Sequence, residues 1–166
     1  MTDLYFSFRP FSPEQFARMI LERYYSLSGV RFLRSPAGKP YIPGNPVCFS
    51  LSHSRDLTLL AVSPEETGAD CEWLGGKLRP AVLSRFPDPE KAEIRSDRDF
   101  LFHWTVREAY VKYLGSTLAA LWRRTEYSGG KIRVDGRETG VSPVLFEWKG
   151  YAVCLCPGEA GGITEI

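Results

Sequence analysis

Two stretches of helical periodicity, each preceded by a short strand pattern and followed by more strands, constrain this chain more than any other feature. In the first, FSPEQFARMILERYYSLSG at 11–29, Ser12 stands as N-cap, Pro13 at the first helical position and Gln15 where it completes a capping box. Phe16, Ile20, Tyr24 and Leu27 follow at helical spacing, and Gly29 is the expected stop. The second helix is expected to start near Ser96, with Asp97 and Asp99 suiting its dipole, and to end at Gly115. Residues 3–8 read as a strand before the first helix. VCFSLS and LTLLAV, turned by the polar HSRD, read as strands after it. TGADCEW, 67–73, is a strand before the second helix, and KIRV, VLFEW and YAVCLC follow between glycine-rich turns. This repeated order predicts an α+β fold of two halves, 1–66 and 67–166. SPAGKPYIPGNP, 35–46, reads as loop, LGGKLRPAVLSRFPDPEKAEI as a short helix between loops, and the tail PGEAGGITEI as frayed.

At 166 residues the chain fits one domain or two small halves sharing a core. Its net charge of +1 argues against broad, salt-driven binding to nucleic acid or membranes. Four cysteines without a C-x-x-C pair, and two histidines, make a poor ligand set for structural zinc. Cys154 and Cys156 alternate with apolar residues, placing both thiols on one strand face as buried, reduced side chains. The N-terminus lacks a basic, apolar leader pattern and no run is long enough to span a bilayer. The expectation is a cytoplasmic protein, a monomer or weak homo-oligomer.

Three stretches carry chemistry. Asp70 and Glu72 lie two apart on a strand and therefore share a face. Two adjacent carboxylates need neutralising, and oxygen-only ligands favour magnesium or manganese, although such a pair is commonly just surface charge. On the second helix, Phe100, Trp104 and Val111 form an apolar face, while Glu108 and Lys112, four apart, are neighbours. They read either as a surface ion pair or as a third metal carboxylate (or base) beside a phosphate-directed lysine. FSLSHS, 49–54, offers hydroxyls, an imidazole and turn amides that suit a phosphate anion, or simply a polar turn. A Ser-His hydrolase is disfavoured, because neighbours on a strand point apart and no G-x-S-x-G elbow is present.

Taken together, GKP at 38–40, FSLSHS, GADCE and WTVREAYVK, in this order, resemble the motifs of the Sfp-type 4′-phosphopantetheinyl transferases. The resemblance implies two similar α+β halves related by a pseudo-twofold, each a small antiparallel sheet with a packed helix, and a cleft between them. It implies transfer of the phosphopantetheine arm of coenzyme A to a serine of an apo acyl or peptidyl carrier protein, with Mg2+ (or Mn2+), releasing 3′,5′-ADP. Asp70, Glu72 and Glu108 would hold the metal. Lys39, Pro40, Ser52 and His53 would bind the coenzyme. Glu108 and Lys112 would be catalytic, on a helix burying Trp104 on one side and presenting them on the other. Arg107 stands where the family carries lysine; the charge is kept but the geometry differs. Only 37 residues precede Gly38, so the N-terminal half is expected to be shortened. LAALWRRTEY, 118–127, with Arg123 and Arg124 beside Leu121 and Trp122, is the expected docking surface for an acidic carrier. The alternatives are a silent homologue that binds coenzyme A or carrier, another magnesium-dependent phosphotransferase or phosphohydrolase, or a plain interaction domain.

Overall fold

The computed structural model describes residues 1–44 and 46–166; Asn45, in the Pro- and Gly-rich loop expected from the sequence, lies outside the described residues. The chain begins with β1 (Thr2–Ser7) and α1 (Pro13–Tyr24). The expected capping box forms: Ser12 Oγ accepts from Gln15 N, and Gln15 Oε1 accepts from Ser12 N. The helix ends at Tyr24 rather than Gly29. Tyr25 N and Leu27 N both donate to Leu21 O, and Ser26 between them turns left-handed at φ +55°. Leu27 thus returns to the apolar cluster from outside the helix, which is why its spacing looked helical.

Next come β2 (Leu33–Arg34) and β3 (Pro40–Tyr41), a short hairpin, then β4 (Cys48–Ser54), β5 (Leu57–Ser63) and β6 (Gly68–Trp73). One-turn α2 (Pro80–Leu83) and α3 (Asp88–Glu93) lead to the long α4 (Asp97–Tyr113) and to α5 (Leu118–Leu121). The expected Ser96 cap is present, its hydroxyl accepting from Asp99 N. The remainder is β7 (Thr125–Ser128), β8 (Lys131–Val134), β9 (Arg137–Glu138), β10 (Val144–Trp148), β11 (Tyr151–Cys156) and β12 (Ala160–Glu165). Among the described residues no helix is long and apolar enough to cross a membrane.

The fold is α+β. One sheet has the order β12-β1-β5-β4 and another the order β10-β11-β6. Helix α1 covers the first, with Phe16, Ile20 and Leu21 against Tyr5, Phe49, Leu60 and Val62. Helix α4 covers the second, with Val106, Ala109 and Tyr110 against Cys154 and Cys156, whose thiols share a face as expected. The two sheets meet through Leu4, Phe6, Leu57 and Leu59 on one side and Ala69, Cys71, Val153 and Leu155 on the other. Strand β5 is therefore buried on both faces, which explains why its sequence is mostly apolar on both. Each fully buried leucine here contributes about 1.5–3 kcal/mol.

The tail corrects the expectation of fraying. Residues 160–165 form β12, parallel to β1, with Ile163 opposite Leu4 and Glu165 opposite Phe6. Its two glycines gave it no strand propensity; the exposed edge of β1 supplies the partner. A segment from the end of the chain thus completes the sheet built by its beginning.

Gly68 decides how β6 meets α4. A Cβ there would stand 2.1 Å from Ala109 O and 2.2 Å from Tyr113 N, so only glycine admits this approach of strand to helix backbone. That close crossing brings the acidic strand onto the helix that carries Glu108 and Lys112.

Candidate active site

On α4, Trp104, Glu108 and Lys112 are spaced by four and so share one face. The expectation that Trp104 lies opposite the two charged residues is corrected by this geometry. Its indole is buried, and Nε1 donates to Glu72 Oε1 at 3.0 Å. The aromatic ring that anchors the helix also holds a carboxylate of the neighbouring strand.

Asp70 and Glu72 project from β6 toward α4, on the face opposite Ala69 and Cys71. Asp70 is 4 % exposed. Its Oδ1 accepts from Lys112 Nζ at 2.7 Å and from Ser52 Oγ at 2.6 Å, whereas its buried Oδ2 has no partner among the described residues. Glu72 Oε2 accepts from Ser54 Oγ at 3.2 Å. Burial, and then the charge of Asp70, raise the pKa of Glu72 from its ordinary value. Glu108 is half-buried; burial and the Asp70 charge push it up to about 7, against the opposing pull of Lys112. Burial works against the charge on Lys112, but Asp70 and Glu108 beside it leave its pKa raised. One ammonium thus faces three carboxylates, with the Arg79 guanidinium a second cation that favours the charged forms of Glu72 and Glu108.

The chemistry of the donor set is the test of whether a divalent cation fits. Among the described residues, no group of three His, Cys, Asp or Glu side chains is arranged to hold a metal ion. Of the three carboxylates expected from the sequence to hold a metal, Asp70 gives its Oδ1 to Lys112, and Glu72 is held by Trp104 and Ser54. The donor set still suits a hard cation. Asp70 keeps an orphaned oxygen, Glu108 is held near half-protonation at neutral pH, and all the donors are oxygen.

Glu108 and Lys112 line a cavity of about 480 Å³ whose other walls include Gly38, Lys39, Pro40 and Ser50. A neighbouring cavity of about 410 Å³, with Tyr41, Glu66 and Tyr113 in its lining, shares Lys39 and Pro40. Lys39 Nζ donates to Glu66 Oε2 at 2.7 Å and to Thr67 O at 3.0 Å, which ties the GKP turn to the start of β6. Ser52 and His53 part company, because successive strand residues point to opposite faces. Ser52 meets Asp70, whereas His53 is exposed at the end of β4.

Arg107 leaves the cleft altogether. It is 2 % exposed, and its Nε and Nη2 both bond the carboxylate of Glu90, itself fully buried. Nη1 also donates to Trp122 O, and Nη2 to Thr125 O. Glu90 accepts in addition from Tyr127 N at 3.1 Å and lies 3.3 Å from His103 Nδ1. Arg107 thus clamps α3, α4 and β7 together. Sequence reasoning missed this clamp, since Glu90 lies in a segment without periodicity. It also missed the role of Ser50, Ser52 and Ser54, although their alternation places three hydroxyls on one face of β4.

No protein-family model matches the chain. It is 30% identical over 103 residues to a 4′-phosphopantetheinyl transferase of Bacillus subtilis, covering 55% of this chain and 44% of that protein. It is 31% identical over 109 residues to 4′-phosphopantetheinyl transferase HetI of Nostoc sp., with coverage of 55% and 44%. It is 27% identical over 127 residues to the L-aminoadipate-semialdehyde dehydrogenase-phosphopantetheinyl transferase of Rattus norvegicus, with coverage of 64% and 41%. The alignments span less than half the length of each of these relatives. The chain is thus similar, over part of their length, to proteins named 4′-phosphopantetheinyl transferases.

Proposed function

We propose that the chain transfers the 4′-phosphopantetheine arm of coenzyme A to a serine hydroxyl of an apo carrier protein and releases 3′,5′-ADP. The observation that supports this most is the convergence of Glu108 and Lys112 with Asp70 and Glu72 beside a cleft whose far wall carries Lys39 and Pro40. A pyrophosphate in that cleft would meet two ammonium groups. Lys39 would exchange Glu66, 63 % exposed and free to swing away, for phosphate oxygens. Lys112 would turn from Asp70 toward the phosphoryl group and stabilise the charge that develops on it.

In the transfer, the carrier serine oxygen forms a bond to the β-phosphorus and the bond from that phosphorus to the bridging oxygen breaks. The 3′,5′-ADP leaves with the electron pair. Glu108, held near neutrality by burial, accepts the serine proton directly or through a water. Asp70, Glu72 and Glu108 would hold magnesium, which would neutralise pyrophosphate charge when bound.

The carrier would dock against a groove of about 550 Å³ lined by Arg85, Leu118, Trp122 and Arg123. Leu118 also lines the cleft, so the two surfaces are continuous. This revises the residues expected from sequence. Arg124 is committed to Asp135 and Leu121 is buried, whereas Arg85 joins Arg123 as an exposed cation.

The deciding experiment is intact mass spectrometry of apo carrier proteins after incubation with this chain, coenzyme A and magnesium. The expected result is a gain of one phosphopantetheine arm, abolished by chelator. Hydrolysis of coenzyme A with no gain on any fatty-acid, polyketide or peptide-synthetase carrier would overturn the reading in favour of a phosphohydrolase.

A further inference from the structure

The two sheets are joined edge to edge by side chains rather than by a main-chain ladder. Strands β4 and β6 each lie at the edge of their own sheet. Strand β6 pairs with β11 on one side only, so alternate amides on its other side need acceptors. Ser50, Ser52 and Ser54, at every second position of β4, supply them. Ser50 Oγ accepts from Ala69 N at 2.9 Å, Ser52 Oγ from Cys71 N at 3.4 Å and Ser54 Oγ from Trp73 N at 3.0 Å.

The rungs differ in where each hydroxyl sends its own proton. Ser50 donates to main chain, at Ala69 O. Ser52 donates to Asp70 Oδ1 and Ser54 to Glu72 Oε2. Two of the three rungs therefore grip a carboxylate and the strand bearing it at once. A hydroxyl that already accepts from the strand has its hydrogen aimed, and this fixes the carboxylate it bonds. For Asp70 the consequence is specific: with Oδ1 taken by Ser52 and Lys112, the orphaned Oδ2 is the oxygen left for a ligand.

We propose that Ser52 and Ser54 are positioning residues, which hold Asp70 and Glu72 in fixed rotamers through the ladder that splices the sheets, rather than contacts to the coenzyme. The kinetic arm of the test rests on the transfer reading; the rotamer arm does not. Ser50 is the internal control, being a rung of the same ladder without a carboxylate.

The experiment measures χ1 scalar couplings of Asp70 and Glu72 by NMR in the isotopically labelled chain, with kcat and KM for transfer, in Ser50→Ala, Ser52→Ala and Ser52→Thr. Ser52→Ala is expected to average the Asp70 couplings and to lower kcat by about 10–100-fold with little change in KM for coenzyme A. Ser50→Ala is expected to keep the Asp70 couplings single-valued, and Ser52→Thr, which restores a hydroxyl, is expected to recover both readouts. If Ser52→Ala does not fold, Glu72 in Ser54→Ala is read in the same way. A single Asp70 rotamer in Ser52→Ala, or averaged Asp70 couplings in Ser50→Ala, would overturn the proposal. Freed rotamers in a chain whose wild type transfers nothing would support the positioning role and sink the transfer reading alone.

Discussion

Replacing Glu108 by glutamine should make the metal-free protein more stable at alkaline pH while abolishing its proposed chemistry. In the unfolded chain this carboxyl titrates near 4.5; in the fold, burial and the charges of Asp70 and Glu72 push it up to about 7. Between those values the folded state binds more protons than the unfolded one, so stability falls as pH rises. The gap corresponds to about 3 kcal/mol, present as a stability loss in full above pH 7 and absent below pH 4.5. Glutamine keeps the shape and removes the charge. Chelator-treated wild type and Glu108→Gln would be unfolded in urea at pH 4 and pH 8 and compared at constant m. The variant should match wild type at pH 4 and exceed it by up to about 3 kcal/mol at pH 8. Equal or lower stability of the variant at pH 8 would refute the argument that burial and the neighbouring carboxylates raise this carboxyl.

Other perturbations test the frame around the site. Gly68→Ala would drive a methyl group into main-chain atoms at Ala109 and Tyr113, which cannot move aside as a side chain can. It should cost at least about 1–3 kcal/mol, read as a lower urea midpoint; an unchanged midpoint would mean that β6 and α4 are not in such close contact. Glu90→Gln strands the buried Arg107 guanidinium and should cost about 3–5 kcal/mol, with a drop in Tm at pH 7 as the readout. The pair Arg85→Glu and Arg123→Glu should raise KM for an acidic carrier and leave the Kd for coenzyme A unchanged. An unchanged KM would remove that groove from consideration.

Much of the local structure was legible in the sequence because its causes are local. Ser12 and Gln15 mark the start of α1, and Ser96 that of α4, because a capping hydrogen bond needs only residues three apart. The alternation of Asp70 with Cys71 put the carboxylate on a known face, and the four-residue step put Lys112 beside Glu108. The same step placed Trp104 on that face, and the expectation that it lay opposite failed for want of applying it. The four motifs were legible as a set, but their distances from one another were not.

What tertiary structure decided is everything that depends on residues distant in the chain. The glycine-containing tail becomes β12 because β1 offers an open edge at the other end of the molecule. Arg107 turns inward because Glu90, buried in a segment of no periodicity, gives its guanidinium a desolvated partner with matching geometry. The serines of β4 become a splice because the free amides of β6 pass alongside them, 18 or 19 residues further on. Residue types and spacing determine which groups can share a face. Only the packing of one sheet edge against another determines which of those groups are left without a partner, and among the described residues these include the buried Oδ2 of Asp70.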